Sequence, residues 1–151
     1  MTYLRTPQGT LYLAVILDLY SRMVVGWATS AVNDRRLVGR ALDQALRRRR
    51  PGGGLLHHTD QGSVYASGDY QAALTAAGIT CSMSRRGNCY DNAAMETWFA
   101  TLKCELSEYF DSMPEATRKL FDYIEVFYNR QRRHSAIGYR TPAEFEQAAV
   151  A

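Results

Sequence analysis

The 151-residue chain has no apolar run of about 18 residues and no secretory leader pattern, so the sequence supports neither membrane insertion nor secretion. Cysteine is sparse. Cys81, Cys89 and Cys104 are odd in number and show no C-x-x-C spacing. That excludes a disulfide framework and a zinc cluster and fits reduced thiols in a cytoplasmic protein. Charge of one sign is barely in excess: the net charge is +3 and the pI about 8.8, so any basic surface is local rather than global. What is present is ordinary globular composition, 46% hydrophobic and 22% charged, which rules out wholesale disorder and suits a single domain with a real core.

Residues 2 to 30 read as three antiparallel strands, with a turn at Thr6-Pro7-Gln8-Gly9 and an almost unbroken apolar strand from Leu11 to Leu17, as for a strand covered on both faces. Trp27 in the third strand reads as core. Asn33 or Asp34 then caps a helix whose inner face is Leu37, Val38, Ala41, Leu42, Ala45 and Leu46. It ends at Arg47-Arg48-Arg49-Arg50 and Pro51-Gly52-Gly53-Gly54, either a phosphate-binding patch or a solvated helix end. A short strand over Leu55 to Thr59, a helix from Ser67 to Ala77 stopped by Gly78, and a fifth strand at Ile79 to Met83 follow. Of His57 and His58, one faces the core and the other approaches the strand's end. A three-strand meander followed by alternating strands and helices makes a mixed five-stranded sheet with helices on both faces, an α/β fold.

The C-terminal third is helical. Ser112-Met113-Pro114-Glu115 and Thr141-Pro142-Ala143-Glu144 are capping boxes, and the first helix turns Ala116, Leu120, Tyr123, Ile124, Phe127 and Tyr128 inward. Between them Asn129 to His134 is polar and basic, either a flexible linker or a contact for a DNA backbone.

The reactive groups centre on Arg85-Arg86-Gly87-Asn88-Cys89-Tyr90-Asp91-Asn92 and the helix after it. Asp91 or Asn92 serves as N-cap; Met95, Trp98, Phe99, Leu102 and Leu106 form a buried stripe; and Asn92, Glu96, Ala100 and Lys103 share the opposite face. On the helix alone this is equally a solvated face with ordinary charges. A second acid upstream alters the balance. Asp60 ends the Leu55 strand, where open α/β sheets place ligands, and 35 residues (61 to 95) separate it from Glu96. Two carboxylates can hold Mg²⁺ or Mn²⁺, hard ions suited to phosphoryl transfer.

His58-Thr59-Asp60-Gln61-Gly62-Ser63, the stretch Ser82 to Ala93, Glu96, Leu102-Lys103, and the tail Phe127-Tyr128-Asn129-Arg130 through His134, Gly138-Tyr139-Arg140 and Thr141-Pro142 closely resemble the catalytic half of bacterial insertion-sequence transposases of the OrfB type. Those enzymes are related to retroviral integrases, and the resemblance covers nearly the whole chain. It implies a ribonuclease-H-like fold with extra C-terminal helices, and a DDE triad in which Asp60 is the second acid and Glu96 the third, both binding metal. It also implies that Lys103, Arg85, Arg86 and Asn92 lie near DNA phosphates. The family's first acid precedes a Thr-Tyr pair, here Thr2-Tyr3 with Met1 before it, so residues 1–151 are expected to be a catalytic core truncated just after that Asp. Asp18 matches a different acid, expected to fix a turn with Ser21 and Arg22.

The implied function is metal-dependent cleavage at a transposon end followed by strand transfer into target DNA. It would be carried out by a homo-oligomer in a synaptic complex, with sequence recognition in a separate domain or subunit. Two other readings stand: a catalytically incomplete fragment that binds only DNA or a transposase protomer, and a ribonuclease-H-like nuclease.

Overall fold

The computed structural model describes residues 1–60, 62–83 and 92–150. Strands β1 (Thr2–Thr6), β2 (Gly9–Leu17) and β3 (Val24–Ser30) form an antiparallel meander. Helix α1 (Arg35–Arg49) follows, then β4 (Leu56–Thr59), α2 (Gly68–Ala76) and β5 (Thr80–Met83), with β4 and β5 parallel. Next come α3 (Ala93–Glu105) and α4 (Met113–Phe121), which runs into a π-helical stretch, Asp122–Tyr128. A 3₁₀ turn at Ser135–Ile137 and α5 (Pro142–Val150) complete the chain.

The β2 strand explains the layering. Its odd residues Leu11, Leu13 and Val15 join Trp98, Leu102, Leu120, Tyr123 and Ile124 of the later helices in one core. Its even residues Tyr12, Ala14 and Ile16 pack with Leu37, Val38, Leu42, Tyr70 and Leu74 of α1 and α2 in a second. Alternation thus buries both faces, as the apolar run predicts. Helix α1 sits directly on the β3 backbone: a Cβ on Gly26 would lie 2.2 Å from the Ala41 carbonyl oxygen. Asp34 caps α1, accepting from the amides of Arg36 and Leu37, both at 3.1 Å.

All five expected strands are present, but they form a three-stranded antiparallel sheet and a two-stranded parallel one rather than a single ladder. On its side away from β2, β1 bonds instead to the segment after α3: the Arg5 amide donates to the Glu108 carbonyl and the Phe110 amide to the Arg5 carbonyl, so these peptide groups are taken and not offered to β4.

Several expectations for the helical third change. Phe127, expected inside, is 38% exposed, whereas Tyr123 and Tyr128 are buried. A π-helical turn bonds i to i+5 and rotates less per residue than an α-helix, so Phe127 falls out of step with the 3.6-residue period and turns outward. The stretch Asn129 to His134 is no flexible linker. Asn129 is buried and exchanges two hydrogen bonds with the backbone of Val24, Arg132 pairs with Glu105, and His134 bridges to Arg140. The four arginines ending α1 are neither a simple phosphate patch nor a purely solvated end. Arg48 pairs with Glu125 and Arg49 with Glu146 and Asp18, while the Arg50 amide closes the helix onto Leu46 from a left-handed conformation. Trp27 is half-buried, its indole donating to Glu125 at 2.9 Å.

Candidate active site

Asp60 owes its position to β4, β5 and the turn behind it. β4 pairs in register with β5, His57 opposite Cys81 and Thr59 opposite Met83. Thr59 is buried, and the chain emerges at Asp60 into solvent. There the Asp60 Oδ1 accepts from the Gly62 amide at 2.7 Å. A Cβ at residue 62 would lie 2.8 Å from that carboxylate oxygen, so a side chain there would press on the Asp60 head group. Behind it the Gln71 amide of α2 donates to the Tyr65 carbonyl at 2.9 Å, Tyr65 meets Tyr70 edge to face, and the Tyr70 hydroxyl bonds His57 Nε2 at 2.7 Å. Burial, then the Asp60 charge, raises the Tyr65 pKa; burial also lowers that of His57. His57 is thus the inward histidine, while His58 is exposed and touches Ser82 Oγ at 3.2 Å. Sequence spacing gives no sign of the Tyr65–Tyr70–His57 chain beyond the helical positions of Tyr70 and Leu74.

Glu96 and Lys103 are fixed by α3. The stripe Met95, Trp98, Phe99, Leu102 and Leu106 packs into the first core as expected, leaving Glu96 and Ala100 exposed on the other face. Asn92 is the N-cap residue by position, without a side-chain capping bond. Glu96 in the first turn and Lys103 in the last also complement the helix dipole, an ordinary structural role for both. Lys103, seven positions after Glu96 and so about 10 Å along the axis, has a neighbour of its own: its ammonium lies 5.0 Å from the Tyr3 ring centroid and 3.8 Å from Glu108. The Lys103 end of α3 thus lies against Tyr3 of β1.

Asp18 does what its alignment predicted. Its Oδ1 accepts from the amides of Tyr20 and Ser21 at 2.8 and 3.4 Å, its backbone oxygen accepts from Arg22, and Oδ2 faces Arg49 at 3.3 Å. Arg22 takes φ of 64°, the left-handed conformation this turn needs. Arg85, Arg86 and Asp91 lie outside the described residues. Among the described residues no three His, Cys, Asp or Glu side chains gather as a metal site, and no helix is long and apolar enough to cross a membrane. An open hollow lined by Leu106, Phe110, Tyr123 and Phe127 takes in none of these site residues.

A three-stranded sheet covered on both faces, an acid emerging at the end of β4 and an exposed acid on α3 are the features that the comparisons with known proteins address. The integrase core domain matches residues 1–89 and again 77–142, and the chain belongs to that family. It is 48% identical over 149 residues to a transposase for insertion sequence element IS904 of Lactococcus lactis, covering 97% of this chain and 59% of that protein. It is 46% identical to transposase InsF for insertion sequence IS3A of Escherichia coli, covering all of this chain and 53% of that protein. The chain thus spans little more than half the length of these relatives. Among solved structures, a simian T-cell lymphotropic virus intasome in complex with PP2A regulatory subunit B56 gamma superposes with a TM-score of 0.75 at 18% identity, over 95% of this chain and 51% of that one. The HTLV-2 integrase catalytic core domain in complex with magnesium superposes with a TM-score of 0.66 at 16% identity, over 95% and 90%. The expected ribonuclease-H-like class is therefore the observed one, at the level of fold.

Proposed function

We propose that this chain is the catalytic core of a DDE transposase that cleaves a phosphodiester at a transposon end and transfers the freed 3′-hydroxyl to target DNA. The observation that supports it is that Asp60 emerges exposed at the end of β4 and Glu96 stands exposed on the outer face of α3, in a chain of the integrase core family. Asp60 and Glu96 would hold Mg²⁺ or Mn²⁺. Both are exposed, neither forms an ion pair among the described residues, and both offer the hard oxygen donors these ions prefer. When bound, such a cation polarises the scissile phosphate and lowers the pKa of the attacking hydroxyl. The chain's own groups do the positioning: the Gly62 amide fixes one Asp60 oxygen, and α3 aims Glu96 outward. Lys103, Arg85, Arg86 and Asn92 are assigned to DNA phosphates. By resemblance, the triad's first carboxylate is assigned to the position before the Thr2-Tyr3 pair. The working unit is a homo-oligomer, and sequence-reading is assigned to a separate domain or subunit.

The test is nicking and strand transfer on duplex DNA with Mg²⁺ or Mn²⁺, comparing the 151-residue chain with one extended by an Asp before Met1. Activity is expected in the extended form. Asp60→Asn or Glu96→Gln should each lower it by well over about 100-fold, since disturbing a metal ligand's supporting contacts alone costs about 10–100-fold. Activity that survives both substitutions refutes the assignment. Activity in the unextended chain that is lost with Asp18→Asn would move the first acid to Asp18.

A further inference from the structure

Both cores leave out a row of large side chains at the free edge of β1. We propose that Lys103, Tyr3, Arg5 and Tyr109 form a stacking platform for unpaired nucleotides of a DNA strand; this rests on the DNA-processing reading above.

β1 is an edge strand, and its outer side is bordered by the segment after α3. The Arg5 amide donates to the Glu108 carbonyl and the Phe110 amide to the Arg5 carbonyl, both at 2.9 Å. This pins Tyr109 beside Arg5, whose Nη1 donates to the Tyr109 hydroxyl at 3.4 Å. The Arg5 guanidinium lies 6.0 Å from the Tyr3 ring centroid and 5.6 Å from that of Tyr109, and the Lys103 ammonium lies 5.0 Å from Tyr3 on the side of α3. Three separate elements thus contribute an alternating order of cation, ring, cation, ring. Every cation–ring contact among the described residues falls on these four side chains.

Burial does not explain the rings. Their neighbours Leu4 and Phe110 enter the core, whereas Tyr3 and Tyr109 remain 46% and 62% exposed. Nor are the rings needed to hold residues 108–110 in place, because the backbone bonds already do that. Arg48, Arg49 and Arg132 are each neutralised by a carboxylate, while Arg5 is exposed, has no ion pair among the described residues and lies between two phenols.

Exposed rings interleaved with cations are what a single strand requires. Every base has a π face that stacks on a phenol or a guanidinium without regard to sequence, and the phosphates between find the charges. Paired bases keep their faces inside the duplex, so the platform should distinguish tailed from blunt DNA. Lys103 shares its charge with Glu108, which makes stacking the larger contribution and phosphate attraction the smaller.

The experiment is fluorescence anisotropy of the full chain with a labelled duplex carrying an unpaired tail and with a blunt duplex of equal length, in metal-free buffer. The wild type should prefer the tailed DNA. Tyr3→Ala and Tyr109→Ala should each weaken tailed binding by about 5- to 150-fold and change blunt binding by less than about two-fold, the range expected for loss of one stacked base. Tyr3→Phe and Tyr109→Phe should keep the preference, and all four should melt like the wild type because the rings are exposed. Equal weakening of tailed and blunt binding would reduce the patch to a phosphate contact and overturn the proposal. So would a wild type without tail preference, or alanine variants that bind tails normally. If the wild type binds neither DNA, the transposase reading fails with it. If the wild type binds and the alanine variants match it, only the platform fails.

Discussion

Replacing Asn129 by alanine should unfold this domain far more readily than the loss of one side-chain amide suggests. Asn129 is only 4% exposed, and its amide makes two bonds to one residue: Oδ1 accepts from the Val24 amide at 2.9 Å and Nδ2 donates to the Val24 carbonyl at 3.0 Å. β3 is the last strand of its sheet, so on that side Val24 has no strand neighbour, and the Asn129 amide serves as one peptide unit of the missing strand. Val24 itself is fully buried. In Asn129→Ala both of its peptide groups lose their partner. Each unsatisfied buried group costs about 1–3 kcal/mol, and partial access of water to the new space lowers the sum, giving about 3 kcal/mol. For a domain of this size that corresponds to a Tm drop of about 6–12 °C. Thermal and urea melts followed by circular dichroism measure it, with the urea m-value unchanged, and hydrogen exchange at the Val24 amide should accelerate selectively. Asn129→Asp keeps the acceptor but turns an oxygen toward the Val24 carbonyl, so it should not restore stability. A loss below about 0.5 kcal/mol, typical of an indifferent surface change, would refute the role given to this residue.

Gly26→Ala would drive a methyl to 2.2 Å from the Ala41 carbonyl oxygen and 2.9 Å from the Ala45 side chain, so α1 must lift from β3. A destabilisation at or above the upper end of the usual overpacking range, about 3 kcal/mol, is expected in urea unfolding, and a wild-type midpoint would show that the helix yields freely. Burial lowers the pKa of both His57 and His134 in the folded state, so the unfolded chain binds more protons as pH falls through the ordinary imidazole range near 6.5. Stability should therefore be full above that range and decline on acidification toward the folded-state values. His57→Gln should flatten part of the decline, and stability that rises between pH 7.5 and 5.5 would contradict the sign.

How legible the chain is depends on how far each residue's partner lies along it. The Asp34 cap, the Gly78 stop and the Thr141 box are local and appear as read: Thr141 Oγ1 accepts from Glu144 and the Glu144 carboxylate accepts from Thr141, at 3.2 and 2.9 Å. The Ser112 box is read nearly right, but Glu115 reaches back one residue further, to the Asp111 amide. The α3 stripe and its outer face follow from spacing alone. What pattern could not reveal is long-range. Arg48 and Arg49 look like a surface charge run because Glu125 and Glu146 lie 77 and 97 positions away. Asn129 looks like loop because Val24 is 105 positions back. Phe127 misleads for a different reason: a period of 3.6 was extended into a π-helical turn with a longer one. Asp60 and Glu96 were found through resemblance more than chemistry, since two acids so far apart carry little signal on their own.

These distant contacts bear on the site. The far end of α3 is held by Glu105, whose carboxylate takes the Arg132 guanidinium in a fork at 2.7–3.0 Å and the Tyr123 hydroxyl at 2.6 Å. The Arg132 bond is the main cause of the depressed Glu105 pKa. Arg132 follows closely on Asn129, which is clamped to β3, so the sheet, the π-helical stretch and α3 are tied by residues within one short basic segment. Since Glu96 and Lys103 project from one face of α3, any rotation of that helix would swing both relative to Asp60, and misplacement by about 1 Å at a reacting centre can cost about 100-fold in rate. The Asn129 to His134 stretch, one of the most recognisable parts of the sequence, therefore contributes by fixing the helix that carries Glu96, and its arginine at 132 is committed to a carboxylate rather than offered to a phosphate.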